Sequence, residues 1–66
     1  MRLTDFWGRL DQSFGAAYAR SLAADQSFGD LGDRTINQAI ADGIDTVTIW
    51  RALVAAYPDR VPAQLR

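Results

Sequence analysis

Acid–base and nucleophilic catalysis near neutral pH need a side chain poised for proton transfer or attack beside a group that activates it. The 66-residue chain has no His, Cys, Lys or Glu, and its charged residues are seven Arg and eight Asp. Candidates for chemistry therefore reduce to Asp, Tyr, Ser and Thr. Two carboxylate pairs lie close in sequence, Asp30/Asp33 and Asp42/Asp45, and a pair sharing a cleft would suit acid–base work. Both pairs bracket glycine-containing turns, where Asp closes the turn or caps the next helix, and that is the reading adopted. The run Gly29-Asp30-Leu31-Gly32 lacks the Lys, the spacing and the preceding strand of a phosphate-binding loop. No alternating series of oxygen ligands forms a calcium loop, and without Cys or His there is neither a disulfide nor a zinc site. The expectation is a non-enzyme with no catalytic residue, cofactor, metal or small-molecule substrate.

Asp25 is the most informative single carboxylate. It stands four residues after Ser21, inside what reads as the apolar arc of a helix. A charge buried without a partner costs several kcal/mol, so Asp25 is expected to be partnered. Ser21, the indole N–H of Trp7 or Trp50, and Arg51 are the candidate donors. Such a network would fix how the second and fourth helices dock, and Asp25→Ala would then destabilise the fold; the functional alternative is a polar hot spot presented to a partner.

These groups need a scaffold, and composition limits what it can be. Sixty-six residues make a single domain, 1–66, and a chain this short buries only about 60% of its unfolded surface. A net charge of −1 and a pI near 4.9 give no general attraction to phosphates. Charged or polar residues interrupt every apolar stretch, so no membrane span is expected. The opening residues lack the apolar block of a signal peptide. A cytoplasmic location is expected.

Four segments read as helices. The first starts at Thr4 as N-cap with Asp5 in its first turn, and Leu3, Phe6, Trp7, Leu10 and Phe14 mark one apolar stripe before the break at Gly15. The second runs from about Ala16 to about Leu31, with Phe14, Ala17, Tyr18, Leu22, Ala24, Phe28 and Leu31 on its inner arc; Ala16, Ala19 and Ala23 are left facing outward. The third is short: Thr35 and Gln38 fit a capping box, Ile36, Ala39 and Ile40 face inward, and Gly43 ends it. Asp45 caps the fourth, which carries Val47, Ile49, Trp50, Leu53, Val54, Ala56 and Tyr57 as far as Pro58. The tail, 59–66, either lies extended over the other helices or frays. No window alternates long enough to signal a strand. The fold expected is all-α: a compact bundle of three main helices and one short one, centred on Phe6, Trp7, Leu10, Phe14, Tyr18, Phe28, Ile40, Trp50 and Leu53.

The last two helices also outline a helix-turn-helix. Ala39 and Gly43 are four apart, Ile44 follows the glycine, and Ile49 lies in the second helix, so small residues stand where two helices must cross closely. Asp42 occupies a place where that motif commonly has an apolar residue, and the absence of Lys thins any anchoring to phosphate. The outward strip of the fourth helix is Thr48, Arg51, Ala52 and Ala55. Its small side chains suit contact with a protein partner, and alanine also favours helix on any solvent face.

In order along the chain, Met1-Arg2-Leu3-Thr4-Asp5-Phe6-Trp7, Phe14-Gly15 with Tyr18-Ala19, Ser21 and Asp25, Leu31-Gly32 with Arg34-Thr35, Ala39 with Gly43, and Trp50-Arg51-Ala52 with Val61-Pro62 resemble a family of short actinobacterial proteins. The family is catalogued as domain of unknown function 3046. The resemblance covers essentially the whole chain. It implies a cytosolic stand-alone domain whose gene neighbourhood often includes a DNA recombinase and its regulator, and it carries no activity over. The chain departs from the family pattern at Gly29, where a helix former is usual, and at Val54, where cysteine often stands. The functional expectation is a non-catalytic protein-binding or adaptor module, with an unidentified protein as partner and a setting in recombination or repair implied by the family. Weak helix-turn-helix-type DNA binding is the alternative.

Overall fold

Phe6, Leu10 and Phe14 stand four residues apart, close to one helical turn, and the first helix brings all three into the centre of the molecule, each less than a tenth exposed. The computed structural model describes residues 1–66. Its elements are α1 (Leu3–Phe14), α2 (Ala16–Asp25), a strand β1 (Ser27–Phe28), a 3-10 turn (Gly29–Leu31), a strand β2 (Arg34–Thr35), α3 (Ile36–Ala41), α4 (Thr46–Ala56) and a closing 3-10 turn (Ala63–Leu65). The chain is mostly helical, with four helices, but it is not purely all-α. Ser27 pairs with Thr35 and Phe28 with Arg34 in a two-residue antiparallel ladder. No helix is long and apolar enough to cross a membrane.

Helix starts divide into one that is capped by a side chain and three that are not. At α3 the Gln38 amide donates to Thr35 Oγ1 at 3.1 Å while the Thr35 amide donates to Gln38 Oε1 at 2.9 Å, forming the capping box. At α1 the N-cap position is Arg2, not Thr4, and no side chain caps it. Asp45 holds the N-cap position of α4, but its carboxylate makes no capping bond; its carbonyl accepts from the Ile49 amide at 3.1 Å. Gly15, at φ +84°, breaks the chain between α1 and α2.

The second segment departs most from the sequence pattern. Helix α2 ends at Asp25, and β1 and the 3-10 turn replace its expected last turns. Its buried face is Ala19, Leu22 and Ala23, at the i, i+3, i+4 spacing of one helical stripe. Ala19 and Ala23 are therefore inside, not outward as expected, and Tyr18 is 49% exposed. Phe28 and Leu31 still reach the core, but from the ladder and the 3-10 turn, out of phase with α2. The expected arc followed the bulky side chains through a helix that stops six residues early. Small residues face the core instead and let α2 lie close to its neighbours.

Fifteen residues are buried, all of them apolar. Of the expected centre, Phe6, Leu10, Phe14, Phe28, Trp50 and Leu53 are among them; Trp7 and Ile40 pack partly buried against that cluster, and Tyr18 is outside it, as is Leu3 of the α1 stripe at 45% exposed. Phe6 meets Trp7 and Trp50 edge-on at 5.5 and 6.0 Å, and Tyr57 bridges Phe14 and Phe28 at 5.5 and 6.3 Å. Val61, 2% exposed, anchors the tail, so residues after Pro58 lie packed over α1 and α4.

An entirely apolar core has no place for a carboxylate. Asp25 is exposed and makes neither a hydrogen bond nor an ion pair through its side chain, and Ser21 is exposed beside it. The expected network between α2 and α4 does not exist. Docking of these helices rests on packing alone.

Candidate functional site

Helix α4 is placed by the turn before it. Gly43, at φ +80°, lets the Ile44 amide reach back to the Ala39 carbonyl at 3.0 Å and closes α3. The hydroxyl of Thr46 donates to the Met1 carbonyl at 2.6 Å, tying the start of α4 to the strand of chain before α1. Ile49, Trp50, Ala52 and Leu53 then turn inward.

The outward side carries Thr48, Arg51 and Ala55, all exposed. Ala52 is not part of that ridge, because β1 and the neighbouring 3-10 turn pack against α4 on its side and leave it 6% exposed. It lines a shallow groove of about 200 Å³ together with Phe28, Gly29, Asp30, Ala55 and Ala56.

A second groove, of about 400 Å³, runs along the other flank of α4 and is lined by Met1, Asp5, Arg9, Val47, Trp50, Arg51 and Arg66. The Trp50 indole N–H donates to the Leu65 carbonyl at 3.0 Å, and Arg9 Nη1 donates to that same oxygen at 3.4 Å. Arg66 donates from Nε to the Val61 carbonyl at 3.2 Å and from Nη2 to that of Pro58. Arg51 makes no side-chain hydrogen bond. The two ion pairs of the molecule lie elsewhere. Arg20 binds Asp11 at 2.9 Å and stacks on Trp7, and Arg34 binds Asp42 at 2.8 Å.

The paired carboxylates behave as turn residues. Asp30 lies in the 3-10 turn, Asp33 follows in the left-handed region at φ +62°, Asp42 ends α3, and Asp45 precedes α4. The aspartates form no group of three or more that could hold a metal ion. A family model described as Protein of unknown function (DUF3046) matches residues 1–64. The chain belongs to this family. No curated protein and no solved structure matches it. On this DUF3046 chain, sequence reasoning located Thr48, Arg51 and Ala55 but missed the groove beside them. Arg9 and Arg66 are far from Arg51 in sequence, and only the fold brings them into one groove with it. No sequence signal marks that convergence: Asp5 stands four residues before Arg9, at the spacing of a helix ion pair that the fold does not form.

Proposed function

We propose that the chain is a non-enzymatic cytosolic module that binds a partner protein through the outward ridge of α4, with recombination or repair as its setting. The observation that carries this reading is the ridge itself. Thr48, Arg51 and Ala55 are exposed, Arg51 is engaged by nothing within the chain, and grooves flank the ridge on both sides. An Arg among small residues beside a pocket is the composition of an interface anchor, since arginine is enriched among residues that dominate binding energy.

Helix-turn-helix-type DNA binding is the second reading, favoured by the tight α3–turn–α4 connection at Gly43. Such motifs present the N-terminal residues of the second helix to base edges. Here exposed Asp45 stands immediately before that end and repels phosphate.

Capture from native cytosol by wild type, Arg51→Glu and Ala55→Arg separates the readings. The expected result is a protein retained by wild type and lost by both variants, whose thermal melts stay unchanged. Identical captures by all three overturn the reading of this face. Duplex DNA binding that weakens steeply between low and moderate salt would replace it with the second.

A further inference from the structure

We infer that the groove between α1, α4 and the closing turn is a receptor for an acidic segment of a partner protein, with Arg51 as the reading residue and Arg9 and Arg66 as preset flanking charges. The inference deepens the proposal for the α4 face, and rests on it, by naming the chemistry of the partner.

Three observations carry it. The first is the arrangement of cations. Arg9, Arg51 and Arg66 line one groove, and none has a carboxylate within ion-pair distance, although Asp5 lines the same groove. Arg9 and Arg66 are steadied by neutral carbonyls of Leu65, Val61 and Pro58, which fix the guanidinium groups without neutralising them. A guanidinium held in place loses less freedom on binding a carboxylate, and its fork matches the two carboxylate oxygens. The second observation is the apolar lining. Val47 and Trp50 line the groove beside these charges, so it offers apolar contact together with its cations.

The third is the distribution of charge along the whole molecule. From Asp25 to Asp45 five aspartates face only Arg34, a net −4, while the rest of the chain carries six arginines and three aspartates, a net +3. No residue of the acidic stretch lines this groove. The groove itself holds three arginines and one aspartate, a net +2, and this local positive charge selects an acidic partner while the acidic stretch turns like-charged surfaces away from the rest. The same acidic stretch disfavours a nucleic acid as occupant, because exposed Asp45 stands immediately before the N-terminus of α4, where a duplex would lie. A second copy of the chain would join basic groove to acidic stretch head to tail, an arrangement that grows open assemblies unless its rotation closes.

The test uses the full chain labelled with nitrogen-15 and a terminally blocked nonapeptide with three Asp-Glu-Leu repeats as probe. Adding the peptide is expected to shift the Trp50 indole and the Arg51 and Arg9 resonances in a saturable way, with little effect on residues 27–42. Arg51→Ala, at an exposed position, should weaken the apparent affinity by about fivefold to tenfold, and Arg51→Lys should recover part of the loss. The inference is overturned if the peptide leaves those resonances in place at millimolar concentration. It is equally overturned if a Lys-Lys-Leu analogue shifts them as much, or if Arg51→Ala binds as wild type does. Tighter binding of a blunt 20-base-pair duplex at the same resonances assigns the groove to phosphate. Shifts there on raising protein concentration alone assign it to a second copy. Loss of captured protein in Arg51→Glu alongside peptide indifference would leave the α4 face standing as an interface and remove only its acidic chemistry.

Discussion

Residues 26–45 and the chain on either side of them close their helix starts and turns by different means. The middle stretch contains, within twenty positions, a two-residue ladder, a 3-10 turn, two successive left-handed residues at Gly32 and Asp33, a capping box and the Arg34–Asp42 ion pair. In the flanking parts, α1, α2 and α4 have no side-chain cap at all; α1 meets α4 and its C-cap through Phe6, Trp50, Phe14 and Tyr57, and α2 packs through Ala19, Leu22 and Ala23. Length explains the contrast. Helix α3 has six residues and buries only Ile36 and Ala39, too little apolar surface for a helix whose nucleation is unfavourable. Local polar bonds supply what packing cannot. A helix of ten to twelve residues with a continuous apolar face can leave its ends to water.

The contrast is broken hardest at Phe6. Its ring is fully buried between Trp7 and Trp50, and Phe6→Ala should cost about 3–5 kcal/mol. A domain of this size has only about 3–10 kcal/mol in total, so a large unfolded fraction at 25 °C is expected by circular dichroism. A cooperative melt within a few degrees of wild type would show that packing does not hold the flanks.

In the middle stretch, Gly32→Ala should act through the backbone. Gly32 sits at φ +68°, and an added Cβ would lie 2.8 Å from Arg34 Nη1. The guanidinium is the far end of a flexible side chain and can yield, but the Arg34 bonds to Leu31 and Asp42 would be disturbed with it. A loss of about 1–2 kcal/mol is expected, read as a fall in urea midpoint at constant slope. Thr35→Ala removes one half of the capping box and should cost about 1 kcal/mol. Amide exchange sharpens the comparison here. The Gln38 amide, which donates to Thr35, should exchange faster by more than the global change explains, while amides of α1 follow the global change alone.

The same division decides what was legible beforehand. Thr35 and Gln38 announced their box because a cap is written in four consecutive residues, and Gly15, Gly43 and Pro58 mark breaks for equally local reasons. The end of α2 was not legible. Gln26 is no helix breaker, and a ladder of two residues per strand is too short for alternation to show. Ala19 and Ala23 misled for a different reason: alanine is favoured both by helix propensity on a surface and by close approach inside, so its presence does not distinguish the two. At the site, the exposed ridge of Thr48, Arg51 and Ala55 followed from helical geometry. The groove did not, because Arg9 and Arg66 reach Arg51 only through the packing of α1 and the tail on α4.

The smallest expected effect lies at the junction of the two regions. Asp25 is the last residue of α2, exposed and without a side-chain partner. A carboxylate at a helix C-terminus opposes the helix dipole, and alanine is the better helix former, so both terms of Asp25→Ala favour the variant. The change should be neutral or slightly stabilising, within about 0.5 kcal/mol. Because the dipole term is screened by salt while the propensity term is not, any gain should shrink but not vanish between low and high ionic strength. Paired thermal melts at the two salt concentrations measure this directly. A loss beyond about 1 kcal/mol, larger than surface substitutions ordinarily produce, would mean that the carboxylate does hold the junction and that packing alone does not seat α2 against α4.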